Sequence, residues 1–262
     1  MNPFPFVIET RNVDDGIDLV YFDIVDMDAA ISYLDDHVVS IFCGQNSALS
    51  LDYAKECFRR LLVTKLSNEA LLCGSIAEFF AHLLLNHYGY KQDCLYQNLE
   101  ERSVKKGFDG VYSIDDELWL MESKSGIFNG ALQHYDKVTE ATSDLKNKVS
   151  GRGGKNDPWS NAYHHANLID VGAKETIRSQ IRALMESYAK GEFRDVSEFN
   201  IIPCATLFYE ERIDRETLDA LACRIKGYFS GKVHRGIFVV CISNVALDGF
   251  LAYLDLRRGG NE

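Results

Sequence analysis

The chain has 262 residues, 46% of them hydrophobic, 11% aromatic and 26% charged, with 39 acidic against 28 basic side chains for a formal net charge of -11. This composition belongs to a globular protein long enough to bury a core without covalent staples, and it excludes disordered and collagen-like chains. It also argues against general affinity for nucleic acid over the whole surface, because holding that polyanion requires Lys and Arg in excess, though a local basic channel is compatible with it.

The apolar runs from Ala70 to Cys73 and from Ile237 to Ile242 fall short of the roughly 20 residues a bilayer span needs. Met1-Asn2-Pro3-Phe4 lacks the basic start and apolar stretch of a secretory signal, so a cytosolic protein is expected. The seven cysteines are odd in number, widely spaced and set among apolar neighbours, which reads as reduced core residues rather than a zinc site. Residues 1 to 56 hold eleven acids and two bases, whereas the remainder is nearly neutral. A strongly acidic front therefore precedes a balanced body, and it reads as a solvated surface or as a face for a basic partner protein.

In chain order, Asp18 to Val25 and His37 to Phe42 are rich in β-branched and aromatic residues and predict strands. Ser50 caps a predicted helix from Leu51 to about Leu66, and Ser67 or Asn68 caps the next, which runs to about Tyr88 before Gly89. A hairpin follows, with strands over Gly107 to Ile114 and Leu118 to Lys124 and Asp115-Asp116 in the turn. Helical spacing returns from about Phe128 to Val149, and Ser150-Gly-Arg-Gly-Gly-Lys-Asn-Asp-Pro158 then forms the clearest loop. Helical sequence continues to Gly191 with a break at Val171-Gly172. Asn200 to Tyr209 predicts a strand, Asp214 caps a helix ending near Gly231, and Gly236 to Ile242 is a buried strand before a short last helix. The order of elements gives an α/β or α+β chain with a mixed sheet, divided by charge into an acidic N-terminal α/β segment (1–66) and a main domain (67–262).

The informative stretch runs from Gly107 to Gly126. Alternate strand residues share a face, so Leu118, Leu120, Glu122 and Lys124 point one way. A carboxylate and an ammonium following Leu-Trp-Leu-Met must be paired or bound to a metal if they are partly buried. Folding the hairpin brings Asp109 alongside Glu122, and two carboxylates at close range need a proton or a divalent cation between them. Mg²⁺, which takes oxygen ligands and often only one or two carboxylates, suits that place, with Mn²⁺ as its substitute. In the preceding helix, Ser75, Glu78, His82 and Asn86 form a narrow polar stripe on an otherwise apolar surface. Gly151-Arg-Gly-Gly-Lys155 departs from a phosphate loop both in its glycine spacing and in having Asn156 after the lysine.

Asp109 followed by Glu122-Ser-Lys124 on the next strand, with a helix before and after, resembles the PD-(D/E)xK nuclease superfamily, although Phe108 stands where the proline often lies. The combination of Gly74-Ser-Ile-Ala-Glu-Phe-Phe-Ala-His82, Phe108-Asp-Gly-Val-Tyr112 and Leu118-Trp-Leu-Met-Glu-Ser-Lys-Ser-Gly126 is similar to the HamA family, nuclease subunits of the Hachiman antiphage defence system of bacteria. The resemblance implies a restriction-endonuclease-like core and Mg²⁺-dependent hydrolysis of DNA. It implies Asp109, Glu122 and Glu78 as metal ligands, Lys124 serving the nucleophilic water, and Gln133 or Lys137 reaching toward the scissile phosphate. Lys105, Lys106, Lys146, Lys148, Arg152 and Lys155 would then contact phosphates, Arg102 beside them, and a HamB-like helicase would be the partner. An inactive adaptor of the same fold that docks a helicase, and an RNase of that fold, are the alternative readings.

Overall fold

The computed structural model describes residues 5–24, 27–96, 107–131, 133–153, 157–208, 212–243 and 246–257. Arg102, Lys105, Lys106 and Lys155, expected to contact phosphate, lie outside them. The strands are β1 (Val7–Asp14), β2 (Ile17–Asp23), β3 (Lys91–Gln92), β4 (Gly110–Ile114), β5 (Glu117–Ile127), β6 (Asn200–Phe208) and β7 (Gly236–Ser243). They form one sheet in the order β1-β2-β7-β6-β5-β4-β3. The four central strands β2, β7, β6 and β5 are parallel, while β1 on one side and β4 and β3 on the other are antiparallel. A parallel centre must be covered on both faces, and every residue of β6 and β7 is buried.

The described helices are α1 (Met27–Cys43), α2 (Leu51–Val63), α3 (Glu69–His87), α4 (His134–Val149), α5 (Pro158–Ala166), α6 (Glu175–Ala189), α7 (Arg215–Phe229) and α8 (Leu247–Tyr253). On one face α1, α2, α3 and α8 bury Phe42, Phe58, Phe79, Phe80 and Phe250 against the sheet. On the other, α4 to α7 bury Val138, Leu145, Trp159, Ile177 and Ile225. The result is an α/β fold consistent with a restriction-endonuclease-like core. β2 runs beside β7 from Ile17↔Ile237 to Asp23↔Ser243, so the acidic front of the chain supplies strands to the same sheet as the rest.

Local sequence explains most boundaries. Ser50 and Asn68 cap α2 and α3 through their side chains, and Asp157 with Pro158 starts α5. Asp115 and Asp116 take φ of 50° and 62°, the left-handed pair a two-residue hairpin turn needs and aspartate tolerates. The expected break in the helical stretch after Pro158 falls between Ala166 and Glu175, with Gly172 at φ 63°.

Two expectations are corrected and one strand is added. His37 to Phe42 is the last third of α1 and not a strand: its β-branched window favours a strand locally, but burial of Ala30, Leu34, Val38 and Ile41 follows the helical period over the whole element. β1 is an additional edge strand whose half-polar Val-Ile-Glu-Thr-Arg-Asn-Val-Asp hides its alternation. β5 continues past Lys124 to Ile127, and the helix expected from Phe128 begins at His134.

α3 is long and apolar enough to cross a membrane by length and composition, yet 72% of that window is buried inside the fold, as suits a central core helix. α4 is anchored at its first residue. His134 is buried between α4 and β7, with Nε2 3.0 Å from the Ile242 carbonyl oxygen and 3.1 Å from Ser243 Oγ. Burial outweighs the carbonyl contact and lowers its pKa from 6.5 to about 4. The unfolded chain therefore binds a proton near pH 6.5 that the folded chain refuses until about pH 4, so stability falls as pH drops through that window, by up to about 3 kcal/mol. His134→Gln keeps a donor toward Ile242 without the titration. Its unfolding free energy, followed by chemical denaturation, should fall less steeply than that of the unmodified protein between pH 6.5 and 4. Equal slopes would mean that His134 takes up its proton in place.

Candidate active site

β5 is 11 residues long and its neighbour β4 only 5, so pairing between them stops at Gly110↔Met121. Beyond Met121, that edge of β5 presents backbone donors with no strand to receive them, and each needs a partner if buried. Asp109, one residue before β4, fills the first gap: its Oδ2 accepts from Ser123 N at 2.9 Å. The aspartate thus continues the hairpin with a side chain, and its carboxylate is fixed beside Glu122.

Glu122 follows Leu118 and Leu120 on the face covered by α4 and is only 2% exposed. Its Oε1 accepts from Lys124 Nζ at 3.0 Å, and its Oε2 accepts from Lys148 Nζ on α4. Lys124 Nζ also lies 2.6 Å from Asp144 Oδ2, one helical turn before Lys148. The result is a chain of alternating charge, Asp144, Lys124, Glu122, Lys148, spanning α4 and β5. Burial first, then repulsion from Asp109, raises the Glu122 carboxyl to about 7 against the pull of Lys148 and Lys124. For Lys124, burial favours the neutral amine, but Glu122 and the Asp144 hydrogen bond outweigh it and raise its pKa, so it stays an ammonium.

Glu78 comes from the opposite face. α3 crosses β5 with Gly74 against Ser125 and His82 against Gly110, since a Cβ added to the glycines would lie 3.8 Å from Ser125 Oγ and 3.3 Å from the His82 ring. Glu78 lies one turn from each on α3. Its Oε1 is 3.9 Å from His82 Nε2, whose Nδ1 meets the Tyr112 hydroxyl. The polar stripe of α3 is thus turned inward: Ser75, Glu78 and His82 are all buried. Ser123 Oγ is buried without a hydrogen-bond partner among the described residues. Among the described residues, no three His, Cys, Asp or Glu side chains are gathered closely enough to enclose a cation by themselves. The donor set nevertheless fits Mg²⁺ or Mn²⁺, which prefer carboxylate oxygen and keep several waters: Asp109, just before β4, is held against β5 beside Glu122, and positive charge is already drawn to Glu122.

Asp109, Glu122 and Lys124 are brought together as the sequence suggested. Gln133 is not with them. It precedes α4 at the end far from Lys148, is exposed, takes a hydrogen bond from Arg224 of α7, and has its backbone N–H bound by Asp136. Lys137 pairs with Glu140 at 2.8 Å. Lys146 is exposed, beside a groove that Tyr228 and Lys232 also line, and Arg152 is exposed with its Nε donating to Ser150 Oγ at 2.9 Å. Lys148, grouped in sequence with the phosphate contacts, instead holds Glu122. Asp144 escaped sequence reasoning altogether. Its signal is the spacing of Asp144 and Lys148, four apart and flanking the buried Ala141 and Leu145, which points both at the strand beneath.

The approach to Asp109 is rigid. A Cβ on Gly107 would lie 2.7 Å from the Pro158 carbonyl oxygen and 2.8 Å from its Cα, backbone atoms that cannot swing aside. Gly107→Ala should therefore lower stability by about 1–3 kcal/mol in denaturant titration, the usual penalty of overpacking. A variant as stable as the parent would show slack between this segment and α5.

A family model described as HamA matches residues 6–246. No curated protein matches the chain.

Proposed function

The chain belongs to the HamA family, and we propose that it is a Mg²⁺- or Mn²⁺-dependent nuclease that hydrolyses phosphodiester bonds in DNA as the effector of a Hachiman-type antiphage defence complex in the cytosol. The observation that carries this reading is the buried Glu122 with Lys124 at 3.0 Å and Asp109 fixed just before the neighbouring strand. An inactive adaptor has no chemical reason to retain the acid, acid and lysine set of Asp109, Glu122 and Lys124 together.

Asp109 and Glu122 would hold the cation, with Glu78 approaching from the α3 side. The bound ion supplies charge neutralisation at the phosphate and a lowered pKa for its water. Lys124 stays protonated between Glu122 and Asp144, which supports a role as donor to the attacking water and to the oxygens on which charge grows, rather than as a base. Lys146 and Arg152, exposed at the end of α4, suit phosphate contacts along the strand. The weak overall affinity for DNA expected at a net charge of -11 suits an enzyme delivered by a helicase partner, for which the acidic front is a docking face.

The purified chain, together with its helicase partner, should degrade DNA in Mg²⁺ or Mn²⁺ and not in EDTA, leaving RNA intact. Glu122→Gln and Lys124→Ala should each reduce the rate roughly 100-fold or more. Undiminished cleavage by either variant removes the proposed site. Cleavage of RNA in place of DNA changes the substrate, and a protein that binds the helicase but cuts nothing is the adaptor.

A further inference from the structure

Resting on the metal-dependent reading above, we infer that Lys148 is the resident counter-ion of Glu122, and that its ammonium lets go of the carboxylate when a divalent cation is taken up. Lys148 is then a positioning residue that keeps Glu122 paired until the ion binds, not a contact to DNA.

The two lysines at Glu122 are held differently. Lys124 is clamped by Asp144 at 2.6 Å as well as Glu122 at 3.0 Å, so it keeps one carboxylate when Glu122 turns to another cation. Among the described residues, the Lys148 ammonium has Glu122 as its one charged partner. Its side chain is 18% exposed, so a way out to solvent lies open, whereas Glu122 at 2% has none. Lys148 also stands in the last turn of α4, where the unpaired carbonyl ends of the helix favour a cation. A released ammonium therefore has water and the helix terminus to receive it.

Lys148 and a divalent ion would compete for the same carboxylate oxygen, since Lys148 Nζ sits on Glu122 Oε2 and two cations at contact distance from one oxygen repel each other where little water screens them. The alternative, in which Lys124 leaves, would strand Asp144 and remove the ammonium from the reaction centre.

The test is Mn²⁺ binding, read from the free-ion signal in electron paramagnetic resonance, on the full chain. Lys148→Met should tighten Mn²⁺ by roughly tenfold. Lys148→Arg should restore the parent affinity by returning a cation to Glu122, and Lys146→Met, equal in charge change but on the other side of α4, should leave it unaltered. An affinity in Lys148→Met that equals or falls below the parent's, or that Lys146→Met reproduces, overturns the inference. Glu122→Gln separates the underlying reading: if the parent chain and this variant bind Mn²⁺ alike, Glu122 is no ligand and both readings fall. Should Lys148→Met not fold, amine acylation of the unmodified protein read by mass spectrometry decides. Lys148 should label faster with saturating Mg²⁺ than without, and equal or slower labelling overturns the exchange.

Discussion

A carboxylate enclosed within a sheet demands positive charge, and in this protein Glu122 imposes that demand on everything around it. Two ammonium groups answer, one from its own strand and one from the helix laid across it. Removing both would leave Glu122 charged without solvent or counter-ion, which is far more damaging than the loss of a surface bridge. The register of α4 on β5 is accordingly tied to this pair. Stability and chemistry depend on the same few atoms.

The sheet prepares the place where this occurs. Four parallel strands give a centre buried on both faces, and the short β4 leaves part of the β5 edge without a backbone partner. Asp109 occupies that vacancy through Ser123 N, so an acid that would otherwise repel Glu122 is held against it by a hydrogen bond. α3 and α4 approach the strand from opposite faces, which is why Glu78 and Lys148 flank one stretch of chain without meeting. A site at the seam between two faces draws side chains from both helices, whereas a site on one face would draw only on its own.

Much of this was legible in the residues. The two-residue turn at Asp115 and Asp116, the caps at Ser50 and Asn68, and the alternation of Leu118, Leu120, Glu122 and Lys124 are set by local geometry that neighbours in space do not alter. The first part of the chain was harder. His37 to Phe42 has the composition of a strand and the burial period of a helix, and only the longer pattern decides between them. β1 carries alternation too weak to stand out because, at the edge of the sheet, its faces are only partly covered.

The sequence by itself determined that Glu122 and Lys124 share a face beside Asp109, because strand periodicity and a tight turn act over neighbouring residues. Only the tertiary structure decided that Lys148 answers Glu122, that Asp144 holds Lys124, and that Gln133 stands apart with Arg224. These outcomes depend on the angle and register at which α4 crosses the sheet, set by Val138, Leu145 and Val149 in the shared core and by His134 at its start. A lysine's charge is the same wherever it lies, and packing between distant segments selects which carboxylate it meets.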